Sequence, residues 1–274
     1  VILPRHPDPI ARDYERRLLA RNRQCQRLLL AGLSEVMRES ADFEKHEAAT
    51  RGDSVSPTFL PRLIQVVDIV AQNWQTKRPA ETEEAYLRRI GAQTDAFTTG
   101  QQMKMFSRRV KMTNPFPSLK ASGLMDGWLA ANVDLITSID TRFFADVRDT
   151  VEEAVRSGVT TDRLAEDIEA RFGVSDSRAR LIARDQVAKL NADITQNRQA
   201  SLGVKEYIWS TSGDGRVRES HQEMDGQVCS YDSPPLVDGE NVNPGQAVSC
   251  RCVALAILPG ESAEELRKSY GAAG

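Results

Sequence analysis

The residue types best suited to hold a metal or do thiol chemistry are concentrated near one end of the chain. Residues 209–252 contain His221, one of three histidines, and Cys229, Cys250 and Cys252, three of four cysteines. Thiolates completed by imidazole make tetrahedral structural zinc sites. In Cys250-Arg251-Cys252 the two sulfurs would share a face of an extended strand while Arg251 points away. His221 and Cys229 would approach from the loop, with Asp225-Gly226 turning the chain between them. The candidate ligand set is therefore His221, Cys229, Cys250 and Cys252 around one structural Zn2+. The spacing is not the paired CxxC of zinc ribbons, so two other readings stand beside it. The cysteines could be small buried hydrophobes with His221 a hydrogen-bonded loop residue. Alternatively, a cysteine and His221 could form a nucleophilic or redox pair, though no motif here supplies an orienting group or an oxyanion pocket. An enzyme alternative also exists. His221 with Asp214, Glu223 and Asp225 has the residue types of a metal-dependent centre that processes nucleic acid, as a nuclease or transferase does.

A stretch this rich in Gly, Pro, Asp and Ser builds turns, so its order depends on flanking elements. Segments 204–210 (VKEYIWS) and 252–258 (CVALAIL) read as strands whose pairing would bring its ends together. Trp209, Asp214, Asp225 and Gly226 are the residues expected to hold the loop by packing, hydrogen bonds and turn geometry. Everything before reads as helix. Apolar positions at three- and four-residue steps predict helices over 11–39, 59–74, 82–112 and 124–157, the last as one or two pieces. Gly158 is a C-cap and Thr160 or Thr161 an N-cap. A short helix over 162–171 is expected to end at Gly173, and Ser175-Asp176-Ser177 to cap another running to about 202. A last helix is expected over 262–270. Breaks fall at RGDSVSP (51–57), TKRPAE (76–81) and NPFPS (114–118). Arg51-Gly52-Asp53 spells an adhesion tripeptide but reads as loop. Met103, Met105, Phe106, Val110 and Met112 read as core filling. The fold class is mainly α, α+β overall, with a small turn-rich β-containing C-terminal module. The expected organisation is a helical N-terminal region over 1–113, a domain over 119–260 containing the module 203–258, and a tail over 261–274.

With 40% hydrophobic and 27% charged residues, the 274-residue chain has the composition of a soluble globular protein of one large or two ordinary domains. A formal net charge of −3 gives no global signature for nucleic acid or membrane. Locally the balance differs, because Arg12, Arg16, Arg17, Arg21, Arg23 and Arg27 face only Asp13 and Glu15. That helix is either a solvated face or a contact, through Arg12, Arg16, Arg17, Arg23 and Arg27, with DNA or an acidic protein surface. No apolar run reaches the roughly 20 residues of a spanning helix, and no secretory signal pattern is seen, so no membrane partner is expected. The cysteine spacing does not resemble a disulfide framework, which suits a reducing cytoplasm. Neither a P-loop nor a GxGxxG fingerprint is present.

Three motifs together carry a resemblance. They are RARLIARDQVAKLNADITQNRQ (178–199), GVKEYIWSTSGDGRVRESHQEMDGQV (203–228) and NPGQAVSCRC (243–252). In order and separation they resemble the head-morphogenesis family of tailed phages, similar to phage Mu protein F, over about residues 124–258. The resemblance implies a minor capsid protein in the virion head rather than an enzyme. It implies assembly in the host cytoplasm and association with the portal protein during procapsid formation. It also implies contacts with major capsid or scaffolding protein, or with packaged DNA. The chain departs from the family where relatives often carry a cysteine three residues before His221, here Arg218. It departs again where they have histidine-proline ahead of the cysteine pair, here Asn243-Pro244-Gly245. Both changes remove possible ligands.

Overall fold

Helical spacing before residue 203 and alternation after it dictate where the strands can be, and the structure follows that division. The computed structural model describes residues 4–47, 55–77, 80–107, 109, 116 and 123–271. The helices are α1 (Asp8–Glu47), α2 (Leu60–Lys77, after a 3-10 turn Pro57–Phe59), α3 (Ala80–Phe106), α4 (Leu124–Ser157), α5 (Thr161–Ala200), α6 (Glu219–Glu223) and α7 (Ala263–Gly271). Strands β1 (Glu206–Ser210), β2 (Val228–Ser230), β3 (Leu236–Val237), β4 (Glu240–Asn241) and β5 (Val253–Ile257) all follow α5. The protein is mainly α with a small antiparallel C-terminal module. The tripeptide Arg51-Gly52-Asp53, Arg78-Pro79, Val110, Met112 and most of the NPFPS break lie outside the described residues.

One expectation fails. The predicted stop at Gly173 and fresh start at Ser175 do not occur, and α5 runs unbroken through both. The side chains read as a cap have another use. Asn22 Nδ2 of α1 donates to Ser175 Oγ at 3.1 Å and to Asp176 Oδ1 at 3.0 Å. A glycine inside a helix costs about 1 kcal/mol, which tertiary packing of the surrounding turns readily offsets. The preceding boundary holds as expected: Gly158 ends α4 with φ +64, and Thr160 Oγ1 accepts from Arg163 N at 3.2 Å.

The chain divides into two compact units. One comprises Glu15–Tyr86 and Ala131–Ile182. Its regular elements among the described residues are helices, and its core joins Leu29 and Leu33 of α1, Leu63 and Val67 of α2, Phe143, Val147 and Val151 of α4, and Leu164 and Ile168 of α5. Helices α1 and α2 approach closely at Gly32, where a Cβ would lie 2.7 Å from Val66 Cγ1. The other unit comprises Val1–Tyr14, Leu87–Ala130 and Ala183–Gly274. Its sheet has the order β2-β1-β5. Met105 at the end of α3 packs on Ile208, Leu255 and Ile257, and Phe106 packs on Val204, Ala256 and Leu258. These are the two core-filling residues of that helix that the sequence singles out and the structure buries.

Candidate metal centre

The central strand β1 positions the site from both edges. It pairs antiparallel with β5, Trp209 opposite Ala254, and with β2, Tyr207 opposite Cys229. The ladder continues past β2 into the turn, where Gly226 N donates to Trp209 O at 2.8 Å and Trp209 N to Gln227 O at 2.8 Å. Gly226 sits at φ +77, a conformation that glycine adopts without strain. Asp225 Oδ1 accepts from Thr211 N at 2.7 Å and closes the turn. The five-residue α6 carries His221 inward, leaving it 2% exposed, with its ring edge-on to Trp209 at a centroid separation of 5.7 Å.

His221, Cys250 and Cys252 converge. Nδ1 of His221 is 3.4 Å from Cys250 Sγ and 3.5 Å from Cys252 Sγ. All three ligand atoms lie within 4.8 Å of one another, and all three residues are buried. The sulfurs meet by a route other than strand alternation, because β5 begins only at Val253. Cys250 Sγ accepts from Gly245 N and from Cys252 N, each at 3.4 Å, so the tripeptide is a knuckle folded round its first sulfur. Helix α5 sets that knuckle. Asp185 accepts from Ser249 N at 3.0 Å, holding Ser249 at φ +56. Gly245, at φ +87, lies so near α5 that a Cβ would come 2.8 Å from Ala192 Cβ. Gln246 ties Asn243 N and Asp193 together at 2.9 and 3.3 Å. Two motifs far apart in sequence, 178–199 and 243–252, are thus two sides of one packed contact.

The protonation of the sulfurs suits a ligand pair. The hydrogen bond from the Cys252 thiol, together with two backbone N–H donors, holds Cys250 well below the usual thiol range, as a thiolate. Cys252 is pushed up by that same hydrogen bond and by burial, so the pair shares one proton. Trp209 Nε1 makes no hydrogen bond of normal geometry, yet its dipole lies towards Cys252 and favours the thiolate there. On the far side of the imidazole, Nε2 is 3.4 Å from Asp238 Oδ2 and 3.2 Å from an Arg218 guanidinium nitrogen. These neighbours suit different tautomers. Donation from Nε2–H to Asp238 frees the Nδ1 lone pair for a metal, the carboxylate–histidine arrangement common behind metal ligands. Donation from Arg218 to Nε2 puts the proton on Nδ1, facing the Cys250 thiolate. Asp238 itself is held below the usual carboxylate range by the Ser220 hydroxyl first and by Arg218 second.

Cys229 does not join the group and is corrected as a ligand. It faces Tyr207 across the β1–β2 pair and lies outside the group whose ligand atoms converge within 4.8 Å. Asp214 pairs with Arg251 at 2.6 Å and accepts from Arg216 N at 3.1 Å, so it serves the loop. Asp214, Glu223 and Asp225 stand outside the His221–Cys250–Cys252 group, and the hydrolytic centre imagined from them is not assembled among the described residues. Arg12, Arg16, Arg23 and Arg27 are exposed on α1. Arg17 is half-buried, near Glu83 at 3.9 Å and over Tyr86 at 5.3 Å. The sequence reading missed Asp238. Its signal was the Asp-Gly pair between β3 and β4, where Asp238 at φ 53 and Gly239 at φ 84 make the turn that such hairpins prefer.

A family model described as phage Mu protein F like protein matches residues 145–255. An uncharacterised protein of Haemophilus influenzae is 42% identical over 129 residues, which make up 47% of this chain and 28% of that protein. The chain therefore spans little more than a quarter of that relative's length. No solved structure matches. The matched segment includes His221, Cys250 and Cys252 and the part of α5 against which the knuckle packs. Over residues 145–255, and so over the whole of this site, the chain is similar to the phage Mu protein F-like proteins.

Proposed function

We propose that the chain acts as a minor head protein of a tailed phage, resident in the virion head and associated with the portal protein while the procapsid assembles. The observation that carries this reading is the family match over residues 145–255, which covers the whole Cys/His site and its supporting helix. Isolating assembling heads with a tagged copy of the chain tests it. The chain should be recovered in few copies per head and cross-link to the portal protein. Heads that lack it, or cross-links confined to non-structural proteins, would sink the reading. No helix among the described residues is long and apolar enough to cross a membrane.

The metal at the centre is, in this reading, one structural zinc held by His221, Cys250 and Cys252. Bonds of about 2.3 Å to sulfur and 2.0–2.1 Å to nitrogen at the tetrahedral angle put those atoms about 3.6 Å apart. The Nδ1–Sγ separations of 3.4 and 3.5 Å fit that edge. Bound zinc supplies charge that accommodates both thiolates and couples its binding energy to folding. Asp238 orients the imidazole, the N–H groups of Gly245 and Cys252 stabilise the sulfur charge, and α5 fixes the knuckle.

Packaged DNA is the proposed partner of α1. Arg16, Arg23 and Arg27 are exposed. Their spacing of seven and four residues keeps them within about 40° round the helix. Replacing these three with Gln is expected to weaken DNA binding. The dependence of log K on log[salt] should fall by roughly 0.9 for each phosphate no longer neutralised. An unaltered salt slope removes DNA as the partner of this face. Reduced incorporation into heads would then assign it to a protein.

A further inference from the structure

We propose that the metal held by His221, Cys250 and Cys252 takes its fourth ligand from outside the chain, an anionic oxygen admitted through an arginine-lined pocket. The proposal rests on the metal reading above.

Three protein ligands leave one tetrahedral position open. Among the described residues no further histidine, cysteine or carboxylate joins the group. The nearby candidates are engaged elsewhere: Cys229 with Tyr207, Asp214 with Arg251, Asp225 with Thr211 N, and Asp238 with the opposite nitrogen of His221.

A small cavity of about 30 Å3 lies against the group, lined by His221, Cys250 and Cys252 together with Arg216, Arg218 and Arg251. A water needs roughly 10–15 Å3, so the space admits a water or one donor atom of a small ligand. Arg216, Cys250 and Arg251 also line a larger cavity of about 350 Å3, with Arg184, His6 and one carboxylate, Asp8, on its wall. The body of a carboxylate or phosphate fits in the larger space while one oxygen reaches the smaller.

Charge selects the ligand. A divalent ion with two thiolates and a neutral imidazole is neutral, so an anionic fourth ligand needs a cation near it. Arg251 is matched by Asp214 and Arg218 by Asp238. The Arg216 guanidinium makes no hydrogen bond or close ion pair among the described residues, sharing only the field of Asp214 with Arg251, and is exposed at the pocket. It is the group left to meet the incoming charge.

Cobalt(II) substituted for zinc in the purified chain reports the fourth position through its visible absorption. Titration with acetate and with inorganic phosphate, at constant ionic strength, should shift the spectrum saturably, and the stronger of the two identifies the anion class. Arg216→Gln should bind one cobalt per chain as before and weaken the anion roughly 2- to 5-fold, the range of an exposed ion pair. A cobalt spectrum that neither anion moves overturns the open position while leaving the metal site standing. Equal anion affinity in Arg216→Gln overturns the pocket as the route. Failure to bind cobalt at all removes the metal reading, and this one with it.

Discussion

Replacing Cys250 with Ser is expected to lower zinc affinity by roughly 100-fold or more and to loosen residues 209–252 to protease. The apparent binding free energy of structural zinc is about 10–16 kcal/mol, so one ligand in four accounts for roughly 3 kcal/mol. Cys250 should be the more costly of the two cysteines to lose. Its sulfur accepts both backbone N–H bonds that shape the knuckle, and a hydroxyl accepts them without the negative charge. Cys229→Ser, by contrast, should leave the metal content of the purified chain unchanged, because Cys229 faces Tyr207. Equal loss of zinc from both variants would place Cys229 in the coordination shell and contradict the geometry.

The thiol pair also fixes a pH dependence. Without metal the folded pair keeps one proton, with Cys250 depressed and Cys252 raised. The depressed group contributes stability that is present above its unfolded pKa, near 8.5, and lost as pH falls through its folded value. The raised group acts oppositely and costs stability above about 8.5. Zinc must displace the proton that remains. Between neutral pH and about 8, the pair should therefore release about one proton per ion, and affinity should rise with pH accordingly. Calorimetry in buffers of different ionisation enthalpy measures that number. A release of two from the pair would show that Cys250 is an ordinary thiol.

Much of this was legible in the residues. Helix periodicity placed α1 to α4, because an apolar stripe at three- and four-residue steps has few other solutions. The pairing of β1 with β5 followed from two apolar runs flanking a polar excursion. What sequence could not show is where a side chain goes once the chain has folded. Ser175 and Asp176 read as a cap because capping is a local property, and the Asn22 amide that claims them comes from a residue far back in α1. Cys229 read as a ligand because it is near in sequence, but the β1–β2 register turns it towards Tyr207. The Asp-Gly signal at 238–239 was local and strong. Its importance depended on His221 standing opposite, which no spacing rule gives.

Arg21→Met is expected to be the most destabilising single change in the helical unit, at about 3–5 kcal/mol. The sequence grouped Arg21 with its arginine-rich neighbours, yet it is 5% exposed. Its guanidinium makes a two-pronged pair with Asp140, one bond at 2.6 Å, and approaches Glu83 at 3.3 Å, while lying 5.4 Å from the Trp74 ring centroid. Burial works against its charge, but the hydrogen bond and field of Asp140, with Glu83, outweigh that and hold it firmly ionised. Removing the cation strands the buried Asp140 carboxylate, at 7% exposure, and leaves the buried Glu83 to the more distant Arg17 at 3.9 Å, and that loss of compensation is the main cost rather than the bond energy itself. Replacing the partners as well should therefore recover stability: Arg21→Met with Asp140→Leu and Glu83→Gln should lie well above Arg21→Met alone. The exposed pair of Arg148 with Asp68 serves as the control, since Arg148→Met should cost under about 1 kcal/mol. Urea unfolding followed by helical circular dichroism measures all three variants. If Arg148→Met and Arg21→Met cost the same, or if the triple variant is no better than Arg21→Met, burial of the charges is not what makes Arg21 costly to lose.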